Sequence, residues 1–340
     1  MNPIPLAPRR FRSLHPRALV ALALLAAAPA MAQRVGGYAG ASLRTPVFAP
    51  EIALGGVSVP FAPDASTLFS NSSALAWIDG PTTTASWSSP AFGVIGVAAL
   101  GAAMPVGRFA AVGAGVTTIG TTEQPRFDDR RQRIGSFSDR ELGLVLGGAL
   151  SIGPGSVGAT LRMLRRGLSG YEATNTGYAV DLAGTLAFEE RFYVGMTLAN
   201  IAGEMVAGES TLRERIPWEA RLSATYVQSL EERIESLRLD PSGTPTTQQM
   251  RPKAYVLGAA GVRMAQIDSL PVFALGVEAV PLATIDLGFR AGLNTSGEVS
   301  GGFLYRLPVE FARELRIDYA VRWHDGPGDL THHVGLSAGF

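Results

Sequence analysis

The sequence has no cysteine and only one lysine, Lys253, and its 29 basic residues are balanced by 29 acidic ones. Without cysteine, neither a disulfide-stapled secreted domain nor a thiolate metal site can form. A nucleic-acid-binding protein would carry a surplus of basic residues, and this chain has none. Charged residues make up 17% of the chain, too few for a charged disordered protein. We therefore expect a folded protein without a nucleic-acid partner.

Beyond the first thirty-odd residues, the sequence also lacks any uncharged apolar run of the roughly 18 to 20 residues that a membrane helix requires. Yet 46% of the residues are hydrophobic, and the mean hydropathy is +0.18. An apolar chain without long apolar runs is typical of a membrane β-barrel, which crosses the bilayer with short strands.

The N-terminal residues have the pattern of a secretory signal peptide. Arg9, Arg10, Arg12 and Arg17 form a basic region, an apolar stretch covers 18–29, and Ala-Met-Ala at 30–32 is a cleavage site of the A-x-A kind. We expect a signal peptide at 1–32 and export to the outer membrane of a Gram-negative cell.

The rest of the chain alternates apolar and polar residues with a period of two, as a wall between lipid and lumen requires. In 314–323, for example, Leu315, Ile317, Tyr319, Val321 and Trp323 form one face. The same pattern predicts fourteen strands, near 83–90, 92–103, 109–119, 140–152, 157–168, 176–188, 191–201, 216–228, 253–265, 269–280, 282–293, 297–307, 313–324 and 331–340. The fold class predicted is thus an all-β, transmembrane, antiparallel outer-membrane barrel; a soluble β-sandwich is the alternative.

Two further features bear on this barrel. The last strand alternates through Val334, Leu336, Ala338 and the terminal Phe340, a pattern that barrel-assembly machinery reads during biogenesis. The connection 229–252 is long, although it falls on the side of the short periplasmic turns, and its stretch LEERIESLRL (230–239) has the spacing of a short amphipathic helix.

The segment IALGGVSVPFAPDASTLFSNSSALAWI (52–78) resembles the stretch that precedes the barrel in the FadL-like (OmpP1/FadL/TodX) outer-membrane superfamily. The matching residues are Gly55, Gly56, Asp64, Ala65, Ser66, Asn71 and Leu75, whereas Ser72, Ser73 and Ala74 replace the Pro-Ala-Gly of the family. The closing strands, from LGVEAVPLATIDLGFRAGLN (275–294) to THHVGLSAGF (331–340), resemble the PorV/PorQ branch.

This resemblance implies a hatch, or plug, formed by 33–80 inside the lumen of a barrel formed by 81–340. It also implies one of two non-enzymatic functions. A PorV/PorQ-like barrel would be a scaffold or shuttle for components of a secretion system, which is the interpretation that we favour from the sequence. A FadL-like barrel would instead pass hydrophobic small molecules across the outer membrane. A purely structural barrel and a lipid-modifying barrel enzyme are weaker alternatives.

Ten charged residues are predicted to face the lumen, five of each sign: Glu219, Glu278, Asp286, Glu314 and Asp318 against Arg221, Arg263, Arg290, Arg316 and Arg322. An ion-selective pore would show a surplus of one sign at a constriction. Balanced charges are typical of structural ion pairs, although a path for a polar solute or contacts that latch the hatch are further interpretations.

Gly113 and Gly115 lie in the predicted third strand, where glycine marks either a kink or a close approach. A kink would open the wall sideways, as the resemblance to fatty-acid transporters implies, and a close approach would pack the hatch against the wall. The outer run RFDDRRQR, from Arg126 to Arg133, is either a solvated loop or a site for anionic lipid headgroups.

No motif for catalysis or for a metal site is present. The glycine-rich stretch 93–101 precedes no P-loop lysine. His332 and His333 are adjacent, and neighbours on a strand point to opposite faces, so they form a poor chelate. No serine has a histidine placed to form a catalytic triad. We expect no metal, no cofactor and no enzymatic activity.

Overall fold

A computed structural model describes residues 38–61, 63–89, 93–169, 174–188, 191–208, 212–230, 235–239, 245–249, 253–282, 284–324 and 330–340. The predicted signal peptide at 1–32 lies outside the described residues. None of the helices in the described part of the chain has the length and apolar character needed to cross a membrane.

Nineteen strands follow one another along the described chain, and their bounds are β1 Thr82–Ser88, β2 Ile95–Val106, β3 Ala110–Thr121, β4 Gln124–Phe127, β5 Arg133–Phe137, β6 Asp139–Ile152, β7 Gly155–Leu168, β8 Thr174–Phe188, β9 Phe192–Ala207, β10 Arg213–Arg215, β11 Glu219–Ser229, β12 Glu235–Leu239, β13 Pro245–Gln249, β14 Tyr255–Ala265, β15 Val272–Val280, β16 Leu287–Asn294, β17 Glu298–Leu307, β18 Glu314–His324 and β19 Leu330–Gly339. Fourteen of them form the wall, and each pairs antiparallel with the next. Strand β1 pairs with β19, so the sheet closes into a barrel.

This closed, fourteen-stranded barrel confirms the predicted fold class. Large apolar side chains alternate outward along the strands, and many are exposed: Leu100 is 56% exposed, Leu146 41% and Phe289 56%. Polar and charged side chains alternate inward and are buried, for example Thr84, Thr225 and Arg290. An outside that is apolar and an inside that is polar is the arrangement that a lipid-facing barrel requires.

The two ends of the barrel differ. At one end, here named the terminal end, β1 begins and β19 finishes, and most connections are short turns such as 153–154 and 281–286. At the other end, here named the loop end, β4 and β5 form a hairpin between β3 and β6. Strand β10 also lies at the loop end, where it pairs with the far part of β9.

The predicted helix in 230–239 is wrong over 235–239. These residues form β12, which pairs antiparallel with β13 in a two-stranded sheet of its own at the terminal end. The charged and apolar residues of this stretch have a spacing that a helix would accept, but a hairpin partner 245–249 supplies backbone hydrogen bonds that a sequence pattern does not reveal. The predicted strand 282–293 also starts too early, because β16 begins only at Leu287.

The described residues 38–80 of the N-terminal segment lie inside the barrel and form the hatch. It contains one short α-helix, α1 (Ala49–Ala53), and three 3-10 helices, Ala41–Arg44, Ala65–Phe69 and Ser72–Trp77. Its apolar side chains form the core of the molecule with small wall residues, and Ile52, Leu68 and Leu75 are no more than 2% exposed. The hatch therefore fills the lumen mainly by packing against the wall.

One irregularity interrupts the wall, between β8 and β9. The register shifts between Val180 and Leu182, and Asn200 opposite has a positive φ of 56°. The Asp181 carboxylate accepts a hydrogen bond from the Asn200 amide at 2.8 Å and another from Arg162 Nε at 2.9 Å. Asp181 and Arg162 are both buried on the inner face of the wall, where Arg162 also donates to the Phe69 carbonyl of the hatch at 2.8 Å.

Candidate functional site

The Asp64-Ala65-Ser66 part of the predicted hatch motif begins a 3-10 helix and attaches it to the wall. The Asp64 carboxylate caps the helix by accepting a hydrogen bond from the Ser66 amide at 2.8 Å. Its second oxygen accepts from the Arg316 guanidinium of β18 at 2.6 Å. Ala65 is fully buried in the apolar core. One aspartate thus sets the start of the helix and fixes its place on the wall.

Asn71 and Leu75 anchor the next 3-10 helix. The Asn71 side chain accepts from the Ser73 amide at 3.2 Å and donates to the Thr185 hydroxyl of β8 at 3.1 Å. Leu75 is fully buried in the same apolar core as Ala65. The serines that replace the family's Pro-Ala-Gly are used here, because the Ser73 hydroxyl bonds both Asn71 and Thr185.

Gly55 and Gly56 form the turn that ends α1. Both have a positive φ, 74° and 90°, which side chains other than glycine rarely adopt. The Gly56 amide donates to the Glu51 carbonyl at 2.9 Å, as in a helix C-terminus closed by glycine. The Gly55 amide donates to the Ser300 hydroxyl of β17 at 3.2 Å. The Gly-Gly pair therefore both ends the helix and joins it to the wall.

Three wall glycines allow the hatch backbone to approach closely. A β-carbon at Gly158 would lie 2.5 Å from the Ser73 nitrogen, and one at Gly276 would lie 2.7 Å from the Leu54 carbonyl oxygen. At Gly292 a β-carbon would overlap the Gly55 nitrogen. All of these neighbours are backbone atoms, which cannot swing away. Here the wall and the hatch are in contact through their main chains.

Gly113 and Gly115 lie in a regular part of β3. Both are paired in continuous register with β2 on one side and β6 on the other, so the wall has no break at these two positions. A β-carbon at Gly115 would lie 2.5 Å from the Phe69 ring, and one at Gly113 would lie 3.4 Å from Leu68. In this structure the two glycines make room for hatch side chains, which is the close-approach interpretation.

Five of the charged groups around the lumen form a buried chain near the terminal end, here named the terminal-end cluster: Asp64, Glu278, Arg290, Arg316 and Asp318. Arg290 bonds Glu278 and, at 2.6 Å, Asp318. Arg316 bonds Asp318 at 2.7 Å and Asp64 at 2.6 Å. Asp64 belongs to the hatch and the other four to β15, β16 and β18, so the chain of ion pairs connects the hatch to three wall strands.

A second group, here named the loop-end cluster, contains Arg44, Glu219, Arg221, Arg263 and Asp268. The Glu219 carboxylate is 1% exposed and accepts from Arg44 Nε at 3.0 Å and from Arg221. Arg263 Nε lies 3.9 Å away, beyond hydrogen-bond reach, and is buried without an acceptor among the described residues. Arg44, from the hatch, also pairs with Asp268. This cluster therefore holds one guanidinium that is not fully paired.

The remaining three predicted lumen charges are not members of either buried cluster, although Glu314 lies 3.6 Å from Arg316. Arg322 is 3.7 Å from Glu298. Glu314 has a half-exposed side chain near Arg306 and Arg316 at the terminal end. Asp286 precedes β16 in a turn and is not on a strand, and its carbonyl accepts from the Arg306 amide at 2.8 Å. The alternation of the predicted strand 282–293 placed Asp286 in the lumen, but the observed strand β16 begins only at Leu287.

Between the hatch and the loop end lies a cavity of about 700 Å³. Its lining includes loop-end residues such as Leu270 and Ser296, the hatch residues Leu43 and Val57, and Ile119 of β3. Arg221, Arg263 and Arg322 also face it. The volume lies within the roughly 300 to 1,000 Å³ of small-molecule sites. This cavity, apolar in part and ringed by charges, is the candidate functional site.

Glu51, on α1, lines this cavity and also a smaller one of about 70 Å³ on the terminal side of the hatch. Burial raises the pKa of its carboxyl group above the ordinary value, although Arg221, Arg162 and Arg263 lie near enough to oppose the change. Glu51 therefore occupies the boundary between the open half of the lumen and the filled half.

Sequence reasoning missed several residues of the site. Arg44, Glu51, Arg162 and Asp181 were not among the predicted site residues, and each acts through a partner distant in the chain. No local pattern in the sequence indicates such a pair. The only available signals were an arginine within the hatch, Arg44, and an inward position for Asp181 on β8. Within the described ranges, no group of three or more histidines and carboxylates could hold a metal ion. His332 faces outward beside the Tyr319 hydroxyl, and His333 is buried.

No protein-family model matches the sequence, and a search of curated proteins gives no match. Solved structures do match. The toluene transporter TodX of P. putida superposes with a TM-score of 0.55 at 13% identity, covering 86% of this chain and 98% of its own. The toluene transporter TbuX of Ralstonia pickettii gives 0.52 at 12% (86% and 96%), and a Pseudomonas aeruginosa FadL homologue gives 0.52 at 12% (86% and 97%). At these identities the likeness shows a shared barrel fold and nothing beyond the fold.

Proposed function

We propose that this protein is a FadL-like outer-membrane channel that takes hydrophobic small molecules into the luminal cavity and passes them toward the cell. One observation carries the proposal: a cavity of small-molecule size lies between the loop end and a hatch that fills the rest of the lumen. The fold shared with two toluene transporters supports it. The apolar outer face of the wall is consistent with a place in the outer membrane.

The residues that line the cavity can bind a hydrophobic small molecule. Leu43, Val57 and Ile119 supply apolar surface, and the burial of an apolar ligand there is favoured by roughly 25 cal/mol per Å². The charged groups around it are mostly paired with one another, so the ligand need not neutralise them. The hatch blocks the lumen on the terminal side of the cavity, because its apolar core and the terminal-end cluster fill the lumen there.

Passage beyond the cavity therefore requires the hatch to move or the wall to open. The ladder across β2, β3 and β6 is continuous, and the smaller cavity near Glu51 lies on the terminal side of the hatch. A shift of α1 would join the two cavities, since Glu51, Val57 and Ser58 line both. We propose this route through the hatch as the path of the solute.

Uptake by whole cells tests the function. The full-length protein is produced in a Gram-negative host that lacks its own channels for hydrophobic compounds, and uptake of radiolabelled toluene and palmitate is measured, with glucose as the polar comparison. Ile119→Trp fills the cavity, and Val116→Trp adds the same bulk to the lipid face of the same strand. We expect uptake with the wild type and with Val116→Trp, and reduced uptake with Ile119→Trp. Uptake equal to that of the empty vector for both hydrophobic probes would refute the proposal.

A second candidate function, that of a PorV/PorQ-like secretion scaffold, is favoured by the hairpin β12–β13. It makes the connection between β11 and β14 long at the end where other connections are short. Replacing 235–249 by a short turn tests it. A scaffold would lose a stoichiometric partner seen by native mass spectrometry of the protein from its own membrane, whereas a channel would keep its uptake.

A further inference from the structure

The outward faces of the wall strands carry very few charged side chains, and those few lie together. Over the described wall, five outward charges are found: Arg140 on β6, Arg165 on β7, Glu204 on β9, and Arg213 and Arg215 on β10. All five are at the loop end, on the wall strands β6, β7 and β9 and on β10, which pairs with β9. From β14 through β19, the outward positions of the described strands are apolar or uncharged, apart from the imidazole of His332.

Strand register puts Arg140, Arg165 and Arg213 at nearly one level, whereas Arg215 lies one same-face step further from the loop end, level with Tyr178. Arg165 pairs with Thr176, Thr176 with Val206, and Val206 with Arg213, so Arg165 and Arg213 lie in one row across four strands. Arg140 lies one step nearer the loop end, because its neighbour Leu142 pairs with Arg165. Diagonal neighbours of this kind have Cα atoms about 7 to 8 Å apart.

The charges in this row are not balanced. Glu204 pairs with Arg213 at 2.8 Å. Arg140, Arg165 and Arg215 form no ion pair with any described residue and are exposed. Like charges this close on one face repel each other unless an anion lies between them. The row therefore has a surplus of positive charge that the protein does not neutralise.

On β6, β7 and β8, the outward surface at and below the row is otherwise apolar. Leu142 is 55% exposed, Leu144 39%, Met163 38% and Leu182 45%, and Tyr178 is 42% exposed at the next level down. The same sector thus presents guanidinium groups above and aliphatic side chains beneath. A molecule that fits both has an anionic head and hydrocarbon chains, aligned along the wall as membrane lipids are.

We propose that this sector, β6 to β10 at the loop end, is a binding site for a lipid with a phosphate monoester headgroup in the outer leaflet. Arg140 and Arg165 would contact the phosphate, since guanidinium groups bind phosphate with two parallel hydrogen bonds, and Arg213 and Arg215 would add positive charge on the same face. The acyl chains would lie on Leu142, Leu144 and Met163. This site is on the outside of the wall and is independent of the luminal cavity and of the function proposed for it.

The hairpin β4–β5 adds to the positive potential of this sector without sharing its geometry. It carries Arg126, Arg130, Arg131 and Arg133 against two aspartates and is inserted between β3 and β6. Its arginines lie on a hairpin outside the wall ladder. They provide the matched comparison, because their replacement removes the same charge from the same end of the barrel.

Native mass spectrometry of the folded, full-length protein in detergent micelles tests the site. The micelles contain bisphosphorylated lipid A, its dephosphorylated form or phosphatidylcholine. The wall variant combines Arg140→Gln, Arg165→Gln, Arg213→Gln and Arg215→Gln, and the control combines Arg126→Gln, Arg130→Gln, Arg131→Gln and Arg133→Gln. Migration on gels before and after boiling confirms that each is folded.

We expect the wild type and the control to retain bisphosphorylated lipid A, and the wall variant to bind it about tenfold more weakly or worse, because each arginine contributes attraction near an anionic surface. Two results would overturn the proposal: equal retention by the wall variant, or equal retention of the dephosphorylated lipid by the wild type. Displacement of the lipid by excess inorganic phosphate would also overturn it, because the site would then be one for free phosphate.

Discussion

The two ion clusters that tie the hatch to the wall have opposite surroundings. In the terminal-end cluster every charge is paired and buried, with Asp318 at 1% exposure and Arg290 at 6%. The loop-end cluster borders the cavity, and its Arg263 Nε has no acceptor among the described residues. One cluster is closed within the protein, and the other faces the space that a solute would enter.

Because of this difference, the ion pairs of the two clusters have different roles. A buried ion pair adds little net stability, but the loss of one partner is costly because it leaves an unpaired buried charge. The terminal-end cluster therefore fixes where the hatch lies. Pairs beside a water-accessible cavity are weaker and are screened by salt, so they can be exchanged for contacts with a ligand. The loop-end cluster therefore suits a part of the hatch that moves.

The largest effect is expected from Arg290→Met, which leaves Glu278 and Asp318 buried without their shared partner. The free energy of unfolding should fall by about 3 to 5 kcal/mol. Urea unfolding of the barrel in lipid vesicles measures it. Arg322→Met is the comparison at the cavity, where the partner Glu298 is 3.7 Å away, and less than about 1 kcal/mol is expected there. Equal losses would mean that burial does not determine the cost of breaking an ion pair in this lumen.

A smaller effect is expected from Asp64→Asn, which breaks the one ion pair of the terminal-end cluster that reaches the hatch. Arg316 keeps Asp318, so the cost should be about 1 to 3 kcal/mol and should be confined to the hatch. Hydrogen–deuterium exchange should speed up in 63–80 and not in the wall strands. Asp129→Asn, exposed on the loop-end hairpin, is the matched control. Exchange unchanged in the hatch would show that the pair does not hold it.

The fold was largely accessible from the sequence, whereas the clusters were not. Alternation predicts fourteen strands because each strand has one face toward lipid and one toward the lumen. Residues such as Leu315 and Ile317 are apolar because they lie on the face toward lipid. The hatch was expected from a family resemblance of 52–78, carried by residues such as Gly55, Gly56 and Asp64, and not from a pattern of its own. Partners such as Arg44 and Glu219 are 175 residues apart and leave no local pattern. Local spacing also could not separate helix from hairpin at 235–239.

At the loop-end cluster, Arg44→Gln should cost no more than about 1 kcal/mol, because buried Glu219 keeps Arg221 and the lost partner Asp268 is partly exposed to water. Exchange should speed up only in 38–47. The comparison becomes sharper in salt: at about 1 M, where the screening length is near 3 Å, this effect should disappear, while that of Asp64→Asn should persist. An Arg44→Gln effect that resists salt would mean that this pair, too, is shielded from water.

The smallest effect is expected at Glu51, between the two halves of the lumen. Burial raises its pKa in the folded protein, so the folded state binds this proton more tightly than the unfolded state does. The resulting stability is complete below the ordinary carboxyl pKa of 4.5 and is lost as the pH rises through the folded pKa.

Glu51→Gln should therefore stabilise the protein at pH 7 and have no effect once the pH is below 4.5. Urea midpoints measured across this range test the expectation, with Glu310→Gln in an exposed turn as the control. A stabilisation that is greater in acid than at neutral pH would mean that the folded protein holds Glu51 in its ionised form.

The close approach of hatch and wall backbones has a consequence for comparing sequences. Gly158, Gly276 and Gly292 have no room for a β-carbon because the hatch main chain occupies that space. A related barrel that has lost its hatch has no steric reason to keep glycine at these positions, and side chains there would help to fill the lumen. The residues at these three positions would therefore indicate, from the amino-acid sequence of a related barrel, whether it still carries an inserted segment.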